Sequence, residues 1–133
     1  GRTQQINLFL VNKSFYLVDL PGYGYTKTSR EAREQLEQLI NWYLFTSGYE
    51  QQKVVLIIDA ALGLTRSDLD MLHSLEQYDK NVIVVANKID TLKKSEYTPQ
   101  LEKIGTQALG HVVVPYSSVT KIGSGDLIGQ ILR

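Results

Sequence analysis

The chain has 133 residues, with 14 basic and 14 acidic side chains and therefore no net charge at pH 7. This length predicts one domain with a sizeable core, residues 1–133. The neutral balance gives no reason to expect a whole-surface field toward nucleic acid or a membrane. No apolar run approaches the roughly 18 residues of a membrane span, and the absence of cysteine excludes disulfides and thiolate metal sites. We therefore expect a cytoplasmic protein with no membrane partner.

The first elements predict a β-hairpin at a sheet edge. Ile6, Leu8 and Leu10 alternate with Asn7 and Phe9, as in a half-buried strand, and residues 15–18 are apolar again. Asn12-Lys13-Ser14 between them are typical turn residues.

A loop and a helix are predicted next. Asp19-Leu20-Pro21-Gly22 stops the second strand, and residues 23–29 lack an apolar period, which predicts a mobile segment. Thr28 and Glu31 have the spacing of a capping box, and an amphipathic helix follows until Gly48.

Strands and helices alternate from Lys53 onward. Residues 53–59 and 81–87 are short continuous apolar runs, typical of strands buried on both faces of a parallel sheet. Between them a helix is predicted after a turn at Gly63, with either Thr65 or Ser67 as its cap.

The same alternation continues to the end of the chain. A helix is predicted over residues 95–108, with Pro99 either directly after Thr98 as the cap or slightly deeper. A strand is predicted over residues 111–116. Pro115 indicates that this strand lies near an edge, and a final helix covers residues 127–132. The pattern predicts an α/β fold with a mostly parallel sheet and right-handed crossovers.

Asn87-Lys88-Ile89-Asp90 follows a predicted strand, at the end where open α/β sheets place ligands. It matches NKxD, the guanine-reading motif of GTPases. The Asp90 carboxylate can accept hydrogen bonds from the ring nitrogen and the exocyclic amine of guanine, which adenine does not offer in that arrangement. The Lys88 stem can cover one face of the base. The alternative is a polar turn that merely ends a strand.

The other candidate residues are weaker by themselves. Asp19 can hold Mg²⁺ through water and the Gly22 amide can contact a terminal phosphate, although Asp-x-x-Gly is also a common turn. Backbone amides of Ser117-Ser118-Val119 can bind a guanine carbonyl, and the Thr3 hydroxyl can bind Mg²⁺.

Four stretches taken together resemble the bacterial EngB/YihA-type GTP-binding proteins, the division-septum or ribosome-assembly GTPases. These stretches are Gly1-Arg2-Thr3-Gln4-Gln5, Asp19-Leu20-Pro21-Gly22-Tyr23-Gly24-Tyr25, Asn87-Lys88-Ile89-Asp90 and Tyr116-Ser117-Ser118. The resemblance implies a Ras-like P-loop GTPase G domain, GTP and GDP as ligands, Mg²⁺ as cofactor, and a role in large ribosomal subunit assembly and cell division, with that subunit or its rRNA as partner.

The resemblance also implies roles for individual residues. Thr3 matches the switch threonine on Mg²⁺, Asp19 and Gly22 match the second switch, residues 87–90 match the base reader, and residues 116–118 match the last base loop. Tyr23 stands where Ras-like GTPases carry a water-positioning glutamine, which implies slow hydrolysis without a partner. No catalytic residue is assigned.

One family motif has no counterpart in the sequence, the P-loop G-x-x-x-x-G-K-[ST]. Residues 105–110 have the glycine spacing, but His111-Val112 follows, and the segment joins a helix to a strand. We therefore expect a G domain that lacks its first strand and P-loop, binds GTP poorly and self-associates through unpaired strand edges. The alternatives are a degenerate G domain that grips protein or rRNA without catalysis, and an unrelated flavodoxin-like scaffold.

Overall fold

The computed structural model describes residues 5–22 and 29–133 of the chain. The chain divides into two compact units, residues 1–50 and residues 51–133. The expectation of one domain over residues 1–133 stays a prediction. Of the predicted residues, Gly1, Arg2, Thr3 and Gln4 lie outside the described part, as does most of the predicted mobile segment, residues 23–28.

The first unit contains the predicted hairpin. Strand β1 (Asn7–Val11) pairs antiparallel with β2 (Phe15–Asp19), and Asn7 lies opposite Asp19. The turn has left-handed backbone at Asn12 and Lys13 (φ 50° and 55°), and the Ser14 amide donates to the Val11 carbonyl at 2.9 Å. Two consecutive left-handed residues match the twist of the strands, which is why this turn closes a tight hairpin.

Helix α1 (Arg30–Asn41) follows and continues as a π-helical segment, Trp42–Thr46. The predicted cap Thr28 is wrong: Ser29 has extended backbone and its hydroxyl accepts a hydrogen bond from the Ala32 amide at 3.2 Å. Ser29 directly precedes the first residue of the helix. Its side chain can therefore accept a hydrogen bond from an amide of the first turn, which has no carbonyl partner within the helix. The end of the helical stretch at Gly48, whose φ is +82°, is as predicted.

The second unit is a three-stranded parallel sheet with its helices. Its elements are β3 (Val54–Asp59), α2 (Arg66–Gln77), β4 (Val82–Asn87), a 3-10 turn (Ile89–Thr91), α3 (Lys94–Gln107), β5 (Val112–Pro115) and α4 (Ser124–Leu132). The strand order is β3-β4-β5. The central position of β4 explains its continuous apolar sequence, because residues 82–86 are all buried.

The core lies on both faces of this sheet. Ile83, Val85 and Val114 form a buried cluster against which Leu127 and Ile131 of α4 pack. Alternate residues of the strands point to the opposite face. Of the other helices, α2 contacts β3 and α3 contacts β5. This packing holds the carboxyl ends of all three strands in one row.

Both proline predictions agree with the structure, Pro99 with the deeper of its two predicted positions. Pro115 lies in β5, an edge strand of this sheet, as predicted. Pro99 lies deeper than the first turn of α3, because the helix already begins at Lys94 with the Glu96 amide bonded to the Lys93 carbonyl at 2.9 Å. At this depth the proline ring removes one hydrogen bond within the helix.

Of the two predicted caps of α2, Thr65 is the one that the structure shows. The Thr65 hydroxyl accepts from the Asp68 amide at 3.3 Å, and the Asp68 carboxylate accepts from the Thr65 amide at 2.8 Å.

Thr65→Ala is expected to lower the free energy of unfolding by about 1 kcal/mol in urea denaturation. Ser67→Ala, an exposed position beside it, is the control and should change stability by less than about 0.5 kcal/mol. Equal losses in the two variants would contradict this assignment.

Candidate functional site

The end of β4 forms a tight turn that presents Asp90. Lys88 has left-handed backbone (φ 61°), and its carbonyl accepts two hydrogen bonds from Thr91, from the amide at 3.0 Å and from the hydroxyl at 2.8 Å. Ile89 is buried and anchors the turn in the core. Asp90 is exposed. The turn therefore holds an exposed carboxylate on a fixed backbone at the carboxyl edge of the sheet.

Ser117 connects this carboxylate to the loop after β5. Its side chain is completely buried, and its hydroxyl donates to Asp90 Oδ1 at 2.7 Å. The Ser117 hydroxyl oxygen also accepts hydrogen bonds from the amides of Val119 and Thr120 at 3.2 and 3.0 Å. A hydroxyl that accepts two amide bonds has its proton free to point at the carboxylate. The structure thus brings together residues 87–90 and residues 116–118, as the sequence predicted.

The backbone ladder between β4 and β5 continues into both loops. The Tyr116 amide donates to the Ala86 carbonyl at 2.9 Å, and the Ile89 amide donates to the Tyr116 carbonyl at 3.1 Å. Because these bonds extend the parallel pairing, the two loops cannot shift independently.

Gly123 is a site-supporting residue that the sequence reasoning missed. Its φ is +84°, and a Cβ atom placed on it would lie 1.9 Å from the Pro115 carbonyl oxygen. The neighbouring Ile122 carbonyl accepts from the Ser117 amide at 3.0 Å. Only glycine allows the chain to cross this closely behind the Ser117 loop. The signal in the sequence was a glycine directly before the last helix.

Asp59 is the second residue that the sequence reasoning missed. It ends β3, lies opposite Asn87 in the register, and its Oδ2 is 3.7 Å from Lys88 Nζ. The signal was an acidic residue at the end of a strand that neighbours the NKxD strand in a parallel sheet.

The remaining predicted residues lie in the other unit or make fewer contacts. Asp19 is the last residue of β2, Leu20 is half-buried, Pro21 is buried and Gly22 is exposed. The Gln5 amide nitrogen donates to Asn7 Oδ1 at 3.2 Å. Ser118 is exposed in the loop after β5. The roles expected for Asp19, Gly22 and Thr3 at a phosphate and Mg²⁺ stay predictions.

The acceptor atoms of this site fit the N–H donors of a guanine base. Asp90 supplies a carboxylate with a fixed orientation, and Asn87 Oδ1 is buried without a hydrogen-bond partner among the described residues. Buried polar atoms are normally hydrogen-bonded, so the Asn87 oxygen is an acceptor that a ligand could satisfy. Within residues 5–22 and 29–133 no group of three His, Cys, Asp or Glu side chains has metal-binding geometry, and Asp19 is the described member of the predicted Mg²⁺ pair. In the same residues no helix is long and apolar enough to span a membrane.

Relatives with curated names match almost the whole chain. A probable GTP-binding protein EngB from Acholeplasma laidlawii is 38% identical over 98% of this chain and 68% of its own length. The protein of the same description from Clostridium acetobutylicum is 39% identical over 98% of this chain and 66% of its own length. The chain therefore spans about two thirds of the length of these relatives.

Solved structures show the same fold. The crystal structure of a probable GTP-binding protein engB aligns with a TM-score of 0.84 over 97% of this chain and 80% of that chain, at 18% identity. Translation elongation factor SelB from Methanococcus maripaludis, in complex with the GTP analogue GPPNHP, aligns with a TM-score of 0.71 over 98% of this chain and 28% of that chain, at 20% identity. The fold is therefore that of a Ras-like P-loop GTPase domain, as predicted.

A family model also covers the chain. The model described as ferrous iron transport protein B matches residues 2–131. The match to the named relatives over 98% of this chain confirms the family that the four sequence stretches predicted. Its residues 2–131 match the ferrous iron transport protein B family model, and by its similarity to the named relatives the chain belongs to the EngB family of GTP-binding proteins.

Proposed function

We propose that this chain binds GTP and GDP, with residues 87–90 and 116–118 holding the guanine base. The observation that carries the proposal is the hydrogen bond of 2.7 Å from the Ser117 hydroxyl to Asp90 Oδ1. It joins two loops that are 27 residues apart in sequence and restrains a carboxylate that can accept from a ligand with two adjacent N–H donors. Guanine has this pair of donors and adenine does not.

The hydrogen bonds of the loop after β5 indicate which of its amides can contact the guanine carbonyl oxygen. The Val119 and Thr120 amides donate to the Ser117 hydroxyl. The Ser118 amide is therefore the donor of this loop that we assign to the guanine carbonyl oxygen. Lys88 is exposed at the same edge of the sheet, where its four-carbon stem can lie along the base.

The wider role proposed for the protein is that of a Mg²⁺-dependent GTPase switch in large ribosomal subunit assembly and cell division, in the cytoplasm. The family resemblance supports this role, and the names of the relatives support GTP binding. Thr3 and Asp19 would hold the Mg²⁺ ion, which would offset phosphate charge. The segment of residues 23–29 would act as the mobile switch that follows Asp19.

The test is a nucleotide titration of the 15N-labelled 133-residue chain followed by NMR, which detects millimolar affinities. GDP is expected to shift the amide signals of residues 87–90 and 116–120, while ADP at the same concentrations leaves them in place. The affinity for GDP is expected to be weak, since no segment of the sequence has the P-loop pattern. Equal shifts with GDP and ADP, or none with either, would refute the proposed function.

A further inference from the structure

Asp59 lies beside the base-reading turn but has no part in the NKxD motif. It is the last residue of β3 and faces Asn87 across the parallel ladder, so its side chain emerges at the same edge as Lys88. The Asp59 Oδ2 to Lys88 Nζ distance is 3.7 Å, and Asp59 Oδ1 accepts a hydrogen bond from the Ala61 amide at 2.9 Å. One carboxylate oxygen therefore holds its own turn, and the other faces the lysine.

The turn that fixes Asp59 is itself held by α3. The Gln100 side-chain amide donates to the carbonyls of Ala60 and Ala61 at 2.8 and 3.3 Å. Gln107 Oε1 accepts from the Leu64 amide at 3.2 Å. Because both ends of the turn are bonded to one helix, the Asp59 carboxylate occupies one place relative to the sheet. It is a fixed anion rather than one end of a mobile surface pair.

Apart from Asp59, the contacts described for Lys88 hold only its backbone. Two bonds from Thr91 lock its carbonyl, but its side chain is 63% exposed and has four rotatable bonds. A free lysine of this kind loses rotamer entropy when a ligand immobilises it. An anion that already restrains the ammonium group reduces the entropy lost when the base binds.

We propose that Asp59 is a positioning residue for guanine-nucleotide binding, which holds the Lys88 ammonium so that the lysine stem lies ready along the base. This inference rests on the proposed function of the Asp90 site and adds a residue outside its motif. Asp59 acts through Lys88 and does not itself contact the base.

The variant that tests the inference is Asp59→Asn, because asparagine keeps an oxygen that can accept from the Ala61 amide while its charge is lost. The dissociation constant for GDP, measured by NMR titration, is expected to rise about two- to fivefold, the range that an exposed ion pair supports. Binding of IDP, which keeps the ring N–H but lacks the exocyclic amine, should weaken by the same factor, because the lysine stem does not discriminate between these two bases. The control is Asp70→Asn, which removes the same charge from an exposed ion pair with Arg66 on α2 and should leave GDP affinity unchanged.

A double-mutant cycle separates positioning from a general structural effect. In a Lys88→Met background, which keeps an apolar stem without the ammonium group, Asp59→Asn should no longer change the GDP dissociation constant. The same loss of affinity with and without the lysine ammonium would overturn the inference, as would an unchanged affinity of the single variant.

A measurement without nucleotide keeps the test independent of the proposed function. In the nucleotide-free chain, 13C relaxation at Lys88 Cε should show faster motion after Asp59→Asn and no change after Asp70→Asn. Unchanged Lys88 motion in Asp59→Asn overturns the inference even if GDP binds. If the parent chain does not bind GDP, the proposed function is refuted instead. The relaxation measurement is made without nucleotide and does not depend on that result.

Discussion

Asp90→Asn is expected to abolish the guanine response of the chain and to create a response to xanthine nucleotides. The substitution removes two charge-assisted hydrogen bonds to guanine at roughly 1.5–3 kcal/mol each, which corresponds to a roughly hundred- to ten-thousand-fold weaker affinity. The amide oxygen of asparagine can still accept from the Ser117 hydroxyl, which lies 2.7 Å from the carboxylate in the parent chain. The amide nitrogen then faces the ring carbonyl that xanthine carries where guanine has an amine.

The measurement is the NMR titration with GDP and XDP on the parent chain and the variant. GDP shifts should disappear in Asp90→Asn and XDP shifts should appear at residues 87–90. The gain of XDP binding excludes simple unfolding as the cause of the lost GDP signal. Equal GDP affinity in parent and variant would remove the assignment of Asp90 as the base-reading residue.

Gly123→Ala is expected to destabilise the second unit by at least about 3 kcal/mol. The left-handed backbone at φ +84° alone costs a non-glycine residue about 1–2 kcal/mol. The added Cβ would also lie 1.9 Å from the Pro115 carbonyl oxygen and 3.3 Å from Tyr116 Cα, so backbone atoms on one side must move. Tyr116 precedes Ser117, and the movement therefore also disturbs the hydrogen bond to Asp90.

The matched control is Gly125→Ala in the first turn of α4, where a Cβ atom would meet nothing within 4 Å. This variant should gain about 0.4–1 kcal/mol, because alanine restricts the unfolded chain and favours helix. Urea denaturation of both variants gives the comparison. A Gly123→Ala protein as stable as the parent would show that the Pro115 to Gly123 crossing is loose in solution.

Local patterns predicted the elements well where one physical signal dominated. Continuous Val and Ile runs predicted the bounds of β3 and β4 within one residue. The expected burial on both faces is found in the central strand β4. It is wrong for β3, which lies at an edge of the described sheet and leaves Ile57 62% exposed. The end of the helical stretch at Gly48 was predicted from a residue that tolerates left-handed backbone. The start of α1 was misplaced because Thr28 and Ser29 are both good caps, and their chemistry alone does not choose between them.

The base-reading residues were determined by the sequence itself. Asn87-Lys88-Ile89-Asp90 after an apolar run specifies a polar turn at a strand end, since residue types and spacing decide local backbone and donor chemistry. The partners of that turn were decided only by tertiary structure. Asp59 reaches Lys88, Ser117 reaches Asp90, and Gly123 passes behind Pro115 because parallel pairing of β3, β4 and β5 aligns the ends of strands far apart in sequence. Contacts of this kind depend on register and helix packing, which no local stretch of sequence encodes.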